Sequence, residues 1–212
     1  MNTRHNSGRT LPTALILVVA FAAGLGLWLV SQRFASDVPT AALTRYPSPR
    51  AITDFQLTRS DAKPFTRADL QGQWNLVFFG FTNCPDICPN TLGVLKQVRA
   101  RLAEAGMADQ VRVHFISVDP QRDQPDTLGR YAAFYDPAFV AATGSDEELT
   151  RLTRSLGVLY TRGPAKDGQY TVDHSASIAL VDPQARLVGL FRPPLDAAAI
   201  GADLLTLVKT RR

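Results

Sequence analysis

The sequence predicts an α/β domain, a central mixed sheet flanked by helices, preceded by one apolar N-terminal helix. Three features predict it: short apolar runs of strand length, amphipathic stretches of helix length between them, and turn-forming residues at the junctions. Residues 74–81 (Trp-Asn-Leu-Val-Phe-Phe-Gly-Phe) are the clearest run, apolar and aromatic as a buried strand requires. A helix follows, with Pro89 tolerated in its first turn, Leu92, Leu95, Val98 and Leu102 on one face, and Gly106 as its stop. Residues 111–118 form a second buried strand, 125–135 a helix and 139–142 a short strand. Ser145-Asp-Glu-Glu148 matches a capping box that opens a helix ending at Gly157. Residues 163–168 have hairpin composition, and 177–181 and 186–191 read as strands joined at Asp182-Pro183. Asp196 is placed to cap a last helix through Ile200, Leu204 and Val208.

This order, strand–helix–strand–helix and then a hairpin and a final helix, is that of a small sheet with helices on both faces. Its best-known small version is the thioredoxin fold, whose active loop follows the first main strand. The domain is expected to span 52–212, after a linker at 31–51 in which Pro39, Pro47 and Pro49 stand among small and polar residues.

Residues 11–30 contain no charge and would be about 30 Å long as a helix, enough to cross a bilayer. Arg4, His5 and Arg9 precede the run. That bias puts residues 1–10 in the cytoplasm and the domain on the extracytoplasmic, periplasmic side of a cell inner membrane. The run exceeds the about 7–15 apolar residues of a signal peptide, and Phe34-Ala35-Ser36 is a poor cleavage site, which favours an uncleaved anchor. The formal net charge of the 212 residues is +4; removing Arg4 and Arg9 leaves 21 Lys+Arg against 19 Asp+Glu, or +2, from Ser31 onward. With no dense basic run before Arg211-Arg212, nucleic-acid binding has little electrostatic support.

Both cysteines lie in Phe81-Thr-Asn-Cys84-Pro-Asp-Ile-Cys88-Pro89, just after the first strand. Outside the cytoplasm a structural disulfide is the plain reading. A bridge between residues four apart closes so small a loop that it constrains the unfolded chain little. A strand-to-helix turn instead exposes its residues in the usual ligand crevice, where a helix N-terminus favours thiolate. If the helix already includes Cys84, the two sulfurs share one face and suit a soft metal or dithiol–disulfide exchange. Two cysteines need a third ligand, and the chain has three histidines. His5 is on the wrong side of the membrane, and His114 sits inside a strand as core histidines do. His174, in the polar turn Val172-Asp-His-Ser-Ala176, falls in the loop expected beside the active loop; Asp173 is a candidate to accept its other N–H.

Residues 80–92 (Gly-Phe-Thr-Asn-Cys-Pro-Asp-Ile-Cys-Pro-Asn-Thr-Leu) resemble the copper-binding motif of the Sco/SenC proteins. Residues 115–125 (Phe-Ile-Ser-Val-Asp-Pro-Gln-Arg-Asp-Gln-Pro), 172–176 and Thr143-Gly-Ser145 resemble the same family in the expected order, over roughly 52–207. Departures are small: Gln124 stands where Thr is frequent, and Asn83 fills a variable position. The resemblance implies a thioredoxin-like domain that binds copper, Cu(I) or Cu(II), through Cys84, Cys88 and His174. It implies a chaperone that delivers copper, or reducing equivalents, to the CuA site of cytochrome c oxidase subunit II, supplied by a copper donor and a thiol reductant. That destination does not follow from spacing or composition.

The alternative is a metal-independent thiol–disulfide oxidoreductase in which Cys84 and Cys88 are the catalytic redox pair. Such enzymes typically carry C-x-x-C and a cis-proline before the facing strand. Here the spacing is one residue longer, and no proline lies between Thr171 and Ala176. The peroxiredoxin pattern Pro-x-x-x-Thr-x-x-Cys is absent, Phe81 standing three residues before Cys84. A scaffold with a structural disulfide is the remaining class.

Overall fold

The computed structural model describes residues 11–34, 40–164 and 170–210, with the side chains of 15–26 alone in the first helix. The chain divides into two units, Met1–Pro39 and Thr40–Arg212. The first contains α1 (Leu11–Phe34), whose described side chains include exposed Leu15, Ile16, Leu17, Val18, Val19, Phe21 and Leu25. Among the described residues no helix is long and apolar enough to cross a membrane, so the fold does not itself establish the bilayer span expected at 11–30. The expected cytoplasmic segment 1–10 lies outside the described residues.

The second unit is built on β4 (Trp74–Gly80), buried at every position because it is central in the sheet and covered on both faces. It pairs in parallel with β5 (Val111–Ser117) and antiparallel with β9 (Ile178–Val181), which makes the sheet mixed as expected. α2 (Ile87–Glu104) connects β4 to β5, and α3 (Pro125–Tyr135) connects β5 to the parallel β6 (Val140–Thr143). β10 (Arg186–Phe191) completes the hairpin with β9. α5 (Ala197–Thr210) packs against α2.

The predicted helix punctuation is found in place. α2 buries Cys88, Leu92, Leu95, Val98 and Leu102 on one face. Gly106 ends it at φ +68°, the left-handed region that glycine enters without a Cβ clash. α4 (Asp146–Ser155) is capped by Ser145 accepting from the Glu148 N–H at 3.3 Å. The reciprocal half of that capping box is missing, because the Glu148 carboxylate accepts the Gln56 N–H at 2.8 Å instead. Asp196 caps α5 by accepting the Ala199 N–H at 2.8 Å.

The linker expected at 31–51 is corrected by the structure. Residues 43–51 form β1 (Leu43–Ala51), an outermost strand antiparallel to β10, and the unit begins at Thr40. Proline cannot donate to a ladder, but on an edge strand interrupted by a bulge the missing N–H costs little. Pro47 and Pro49 lie where the register shifts between Arg45 and Arg50. The entry of β1 is anchored by Asp203 of α5, whose carboxylate accepts the N–H groups of Ala41, Ala42 and Leu43, each at 2.9 Å. Two short strands that the sequence reading does not assign, β2 (Gln56–Arg59) and β3 (Pro64–Thr66), extend the opposite edge beyond β6. β7 (Tyr160–Arg162) and β8 (Val172–His174) form a separate two-stranded ribbon. The hairpin expected at 163–168 is its loop, of which 165–169 lie outside the described residues.

His114 in β5 is a core residue, 1% exposed. Asn75 donates to the Leu70 and Gln73 carbonyls at 2.8 Å each, so its Oδ1 accepts from His114 Nε2 at 2.8 Å. Burial, reinforced by Arg112 and Arg59, lowers His114 from 6.5 to about 3. The folded state therefore keeps this imidazole neutral, while the unfolded chain takes up a proton below 6.5. Stability is lost as pH falls from 6.5 towards 3, at most about 1.4 kcal/mol per pH unit from this group. His114→Gln, which can still donate to Asn75, is expected to flatten that slope in urea unfolding compared between about pH 7 and about pH 4.5. Equal slopes for the two proteins would show that His114 does not carry the effect.

Candidate metal centre

Beyond the carboxyl end of β4, Cys84 stands in the turn that leads into α2 and Cys88 in the first turn of α2 itself. The Cys84 N–H donates to the Phe81 carbonyl at 3.3 Å, closing the turn, and the Cys88 N–H donates to Cys84 Sγ at 3.4 Å. α2 begins at Ile87, so Cys84 precedes the helix and Cys88 lies in its first turn. The sulfurs converge because the turn folds back, and not because both occupy one helical face.

Both cysteines are free and buried, Cys88 completely. The Cys88 sulfur lies so close to the end of β4 that a Cβ on Gly80 would fall 2.5 Å from it. Any side chain at position 80 would displace the sulfur, which accounts for a glycine at the end of a strand otherwise rich in large apolar residues. Burial raises the Cys88 thiol well above its ordinary value, against the lowering effect of a backbone hydrogen bond from Phe81. Desolvation thus works against the thiolate that the helix N-terminus is expected to favour.

His174 ends β8 and reaches the same point. Its Nε2 is 3.3 Å from Cys88 Sγ, and its Nδ1 is 3.2 Å from the Ser175 carbonyl. A carbonyl only accepts, so Nδ1 carries the hydrogen and the Nε2 lone pair faces the sulfur. Asp173, the expected partner for that N–H, is exposed, and the backbone carbonyl takes its place. Burial lowers the His174 pKa, which favours the neutral ring a metal requires. The ring is held edge-on by Phe78 and Phe81, with centroids at 5.9 and 5.8 Å.

The ligand atoms of Cys84, Cys88 and His174 all lie within 4.8 Å of one another. Among the described residues this is the one cluster of histidine, cysteine and carboxylate groups that could hold an ion, and His114 is not in it. Two sulfurs and one imidazole nitrogen form a soft donor set, suited to Cu(I) or zinc.

Several residues around the site carry no signal in a single sequence. Arg122 lies over the Tyr170 ring at 4.0 Å and the Phe81 ring at 5.6 Å, donates to the Tyr170 carbonyl at 3.2 Å, and is paired to buried Asp119. Arg162 donates through Nη2 to the Val118 carbonyl at 2.6 Å, fastening the β7–β8 ribbon that carries His174. Of these, Asp119 and Arg122 fall within the recognised segment 115–125, but their contacts with Tyr170 cross about 50 residues of sequence.

Comparison with known proteins gives concordant results. Residues 44–209 match the SCO1/SenC family. The chain is similar to the mitochondrial protein SCO2 homolog of Mus musculus, 37% identical over 202 residues, 90% of this chain and 77% of that protein. Two solved structures, each described as having copper bound, are similar in fold and sequence. ScoI of Bradyrhizobium japonicum is 37% identical with a TM-score of 0.66, covering 73% of this chain and 98% of its own. ScoI of Arabidopsis thaliana is 34% identical with a TM-score of 0.69, covering 74% and 97%.

Proposed function

This chain belongs to the SCO1/SenC family, and we propose that it binds copper through the sulfurs of Cys84 and Cys88 and the Nε2 of His174. The observation that carries this reading is the convergence of those three ligand atoms within 4.8 Å. The copper is cargo, delivered to the CuA site of cytochrome c oxidase subunit II after loading from a copper donor. The same two thiols, this close together, support a second use, reducing the cysteines of the receiving site; a thiol reductant then regenerates the pair. The domain works on the extracytoplasmic side of the membrane, tethered through the uncharged run at 11–30. Exposed apolar side chains of α1 support that tether.

His174→Ala separates this reading from a metal-independent oxidoreductase. Loss of one of three ligands is expected to weaken copper binding by about a hundredfold or more, read by competition with a chelator, while dithiol–disulfide cycling of Cys84 and Cys88 persists. Undiminished copper affinity in His174→Ala, with affinity lost in His114→Gln, would assign the nitrogen ligand to the other histidine.

A further inference from the structure

Asp123 is fully buried, and its side-chain hydrogen bonds go to Thr82 and Ser117 rather than to the three ligands, although its charge adds to burial in raising the Cys88 thiol. One carboxylate oxygen accepts the Thr82 N–H at 2.9 Å and the Ser117 hydroxyl at 2.5 Å; the other accepts the Thr82 hydroxyl at 2.5 Å. Among the described residues no lysine or arginine forms an ion pair with it. A buried carboxylate without a cation is costly unless hydrogen bonds satisfy its oxygens, and here the satisfying donors come from two places. Ser117 is the last residue of β5, a rigid central strand. Thr82 is the second residue before Cys84, inside the turn closed by the Cys84 N–H on the Phe81 carbonyl. The carboxylate thus fastens the cysteine turn to the sheet across 41 residues of sequence.

We propose that Asp123 is a positioning residue, which holds the Cys84 turn against β5 and thereby sets how readily the two thiols close to a disulfide. Cys88 has its own support in α2 and against Gly80. Cys84, outside the helix, depends on the turn, and the turn depends on Thr82. Intramolecular reactions are governed by how closely the reacting atoms are held, so loosening one partner lowers the effective concentration of its thiol. This inference rests on Cys84 and Cys88 being the functional pair, and does not require copper.

The test is the equilibrium of the metal-free, full-length protein with glutathione. One S–S bond of oxidised glutathione breaks, one forms between Cys84 and Cys88, and the two protein protons leave with two molecules of reduced glutathione. Asp123→Ala is expected to shift this equilibrium about tenfold towards the dithiol. Asp123→Asn keeps an oxygen for the Thr82 N–H, and its amide can donate to a hydroxyl that has rotated. It is therefore expected to restore the constant to within about threefold of wild type. Thr82→Val, which removes only the hydroxyl, is expected to shift the constant in the same direction by a smaller factor. It decides the matter if Asp123→Ala does not fold. A folded Asp123→Ala with the wild-type constant, or alanine and asparagine variants shifted equally, would overturn the role of Asp123. If Asp123→Ala is unfolded, an unshifted Thr82→Val would do the same. Failure of the wild-type protein to bind copper through two sulfurs would instead overturn the reading of the site, while this equilibrium remains measurable.

Discussion

Cys88→Ser is expected to abolish tight copper binding while leaving the protein folded. The serine oxygen is a harder ligand than sulfur, and it sits on a shorter bond. At this position the side chain is packed against Gly80, the last residue of β4, with no exposure to solvent. Site energies of about 10–16 kcal/mol for four-ligand zinc centres imply about 2.5–4 kcal/mol per ligand. On that scale losing one sulfur weakens binding by about two to three orders of magnitude. The remaining sulfur and nitrogen also lose the geometry that made them chelate. The measurement is competition against a Cu(I) chelator, with X-ray absorption reporting two sulfurs and one nitrogen in the wild type and a shell poorer in sulfur in the variant. Wild-type affinity in Cys88→Ser, or a wild-type shell of only nitrogen and oxygen, would rule out the sulfur site.

The elements legible in the sequence are those whose signal is local. The apolar and aromatic run at 74–81 reads well as a buried strand, found at 74–80, and the α2 face follows from one helical period. Gly106 and Ser145 mark helix ends through backbone chemistry that needs no tertiary context. The grouping of Cys84, Cys88 and His174 as a candidate site was legible because the chain has so few candidates: two cysteines four residues apart and three histidines, one of them in the N-terminal segment. What could not be read depends on partners distant in sequence. Pro47 and Pro49 look like linker residues until β10 is known to lie beside them. Asp123 looks like an ordinary turn residue until Thr82 is seen to donate to it. The acceptor for the His174 ring was expected in a carboxylate, since Asp173 is adjacent, and is a backbone carbonyl, since Asp173 faces solvent. Burial likewise decides the Cys88 thiol, and no count of residues reports it.

The air-oxidised, metal-free protein is expected to take up almost no copper until a reductant acts. Cys84 and Cys88 are the only cysteines of the chain, so they are the only possible disulfide partners within it. The proposed ligands and the oxidisable pair are therefore the same two sulfurs. A metal needs both as thiolates, and a disulfide removes both at once. Their closeness, within 4.8 Å together with His174 Nε2, suits both chelation and bridge formation. Oxidation should leave only His174 of the three ligands, and one imidazole nitrogen does not hold Cu(I) tightly. Bound copper should correspondingly protect both thiols from alkylation, which metal-free reduced protein would not resist. In an extracytoplasmic compartment, where disulfides persist, loading then requires a thiol donor as well as a copper donor. The measurement is to oxidise the metal-free protein, verify that no free thiol remains, and supply Cu(I) without reductant, then again after reduction. Recovery of stoichiometric uptake only in the second case is the expected result. Stoichiometric uptake with the disulfide intact would refute the shared use of the sulfurs, and with it the assignment of Cys84 and Cys88 as ligands.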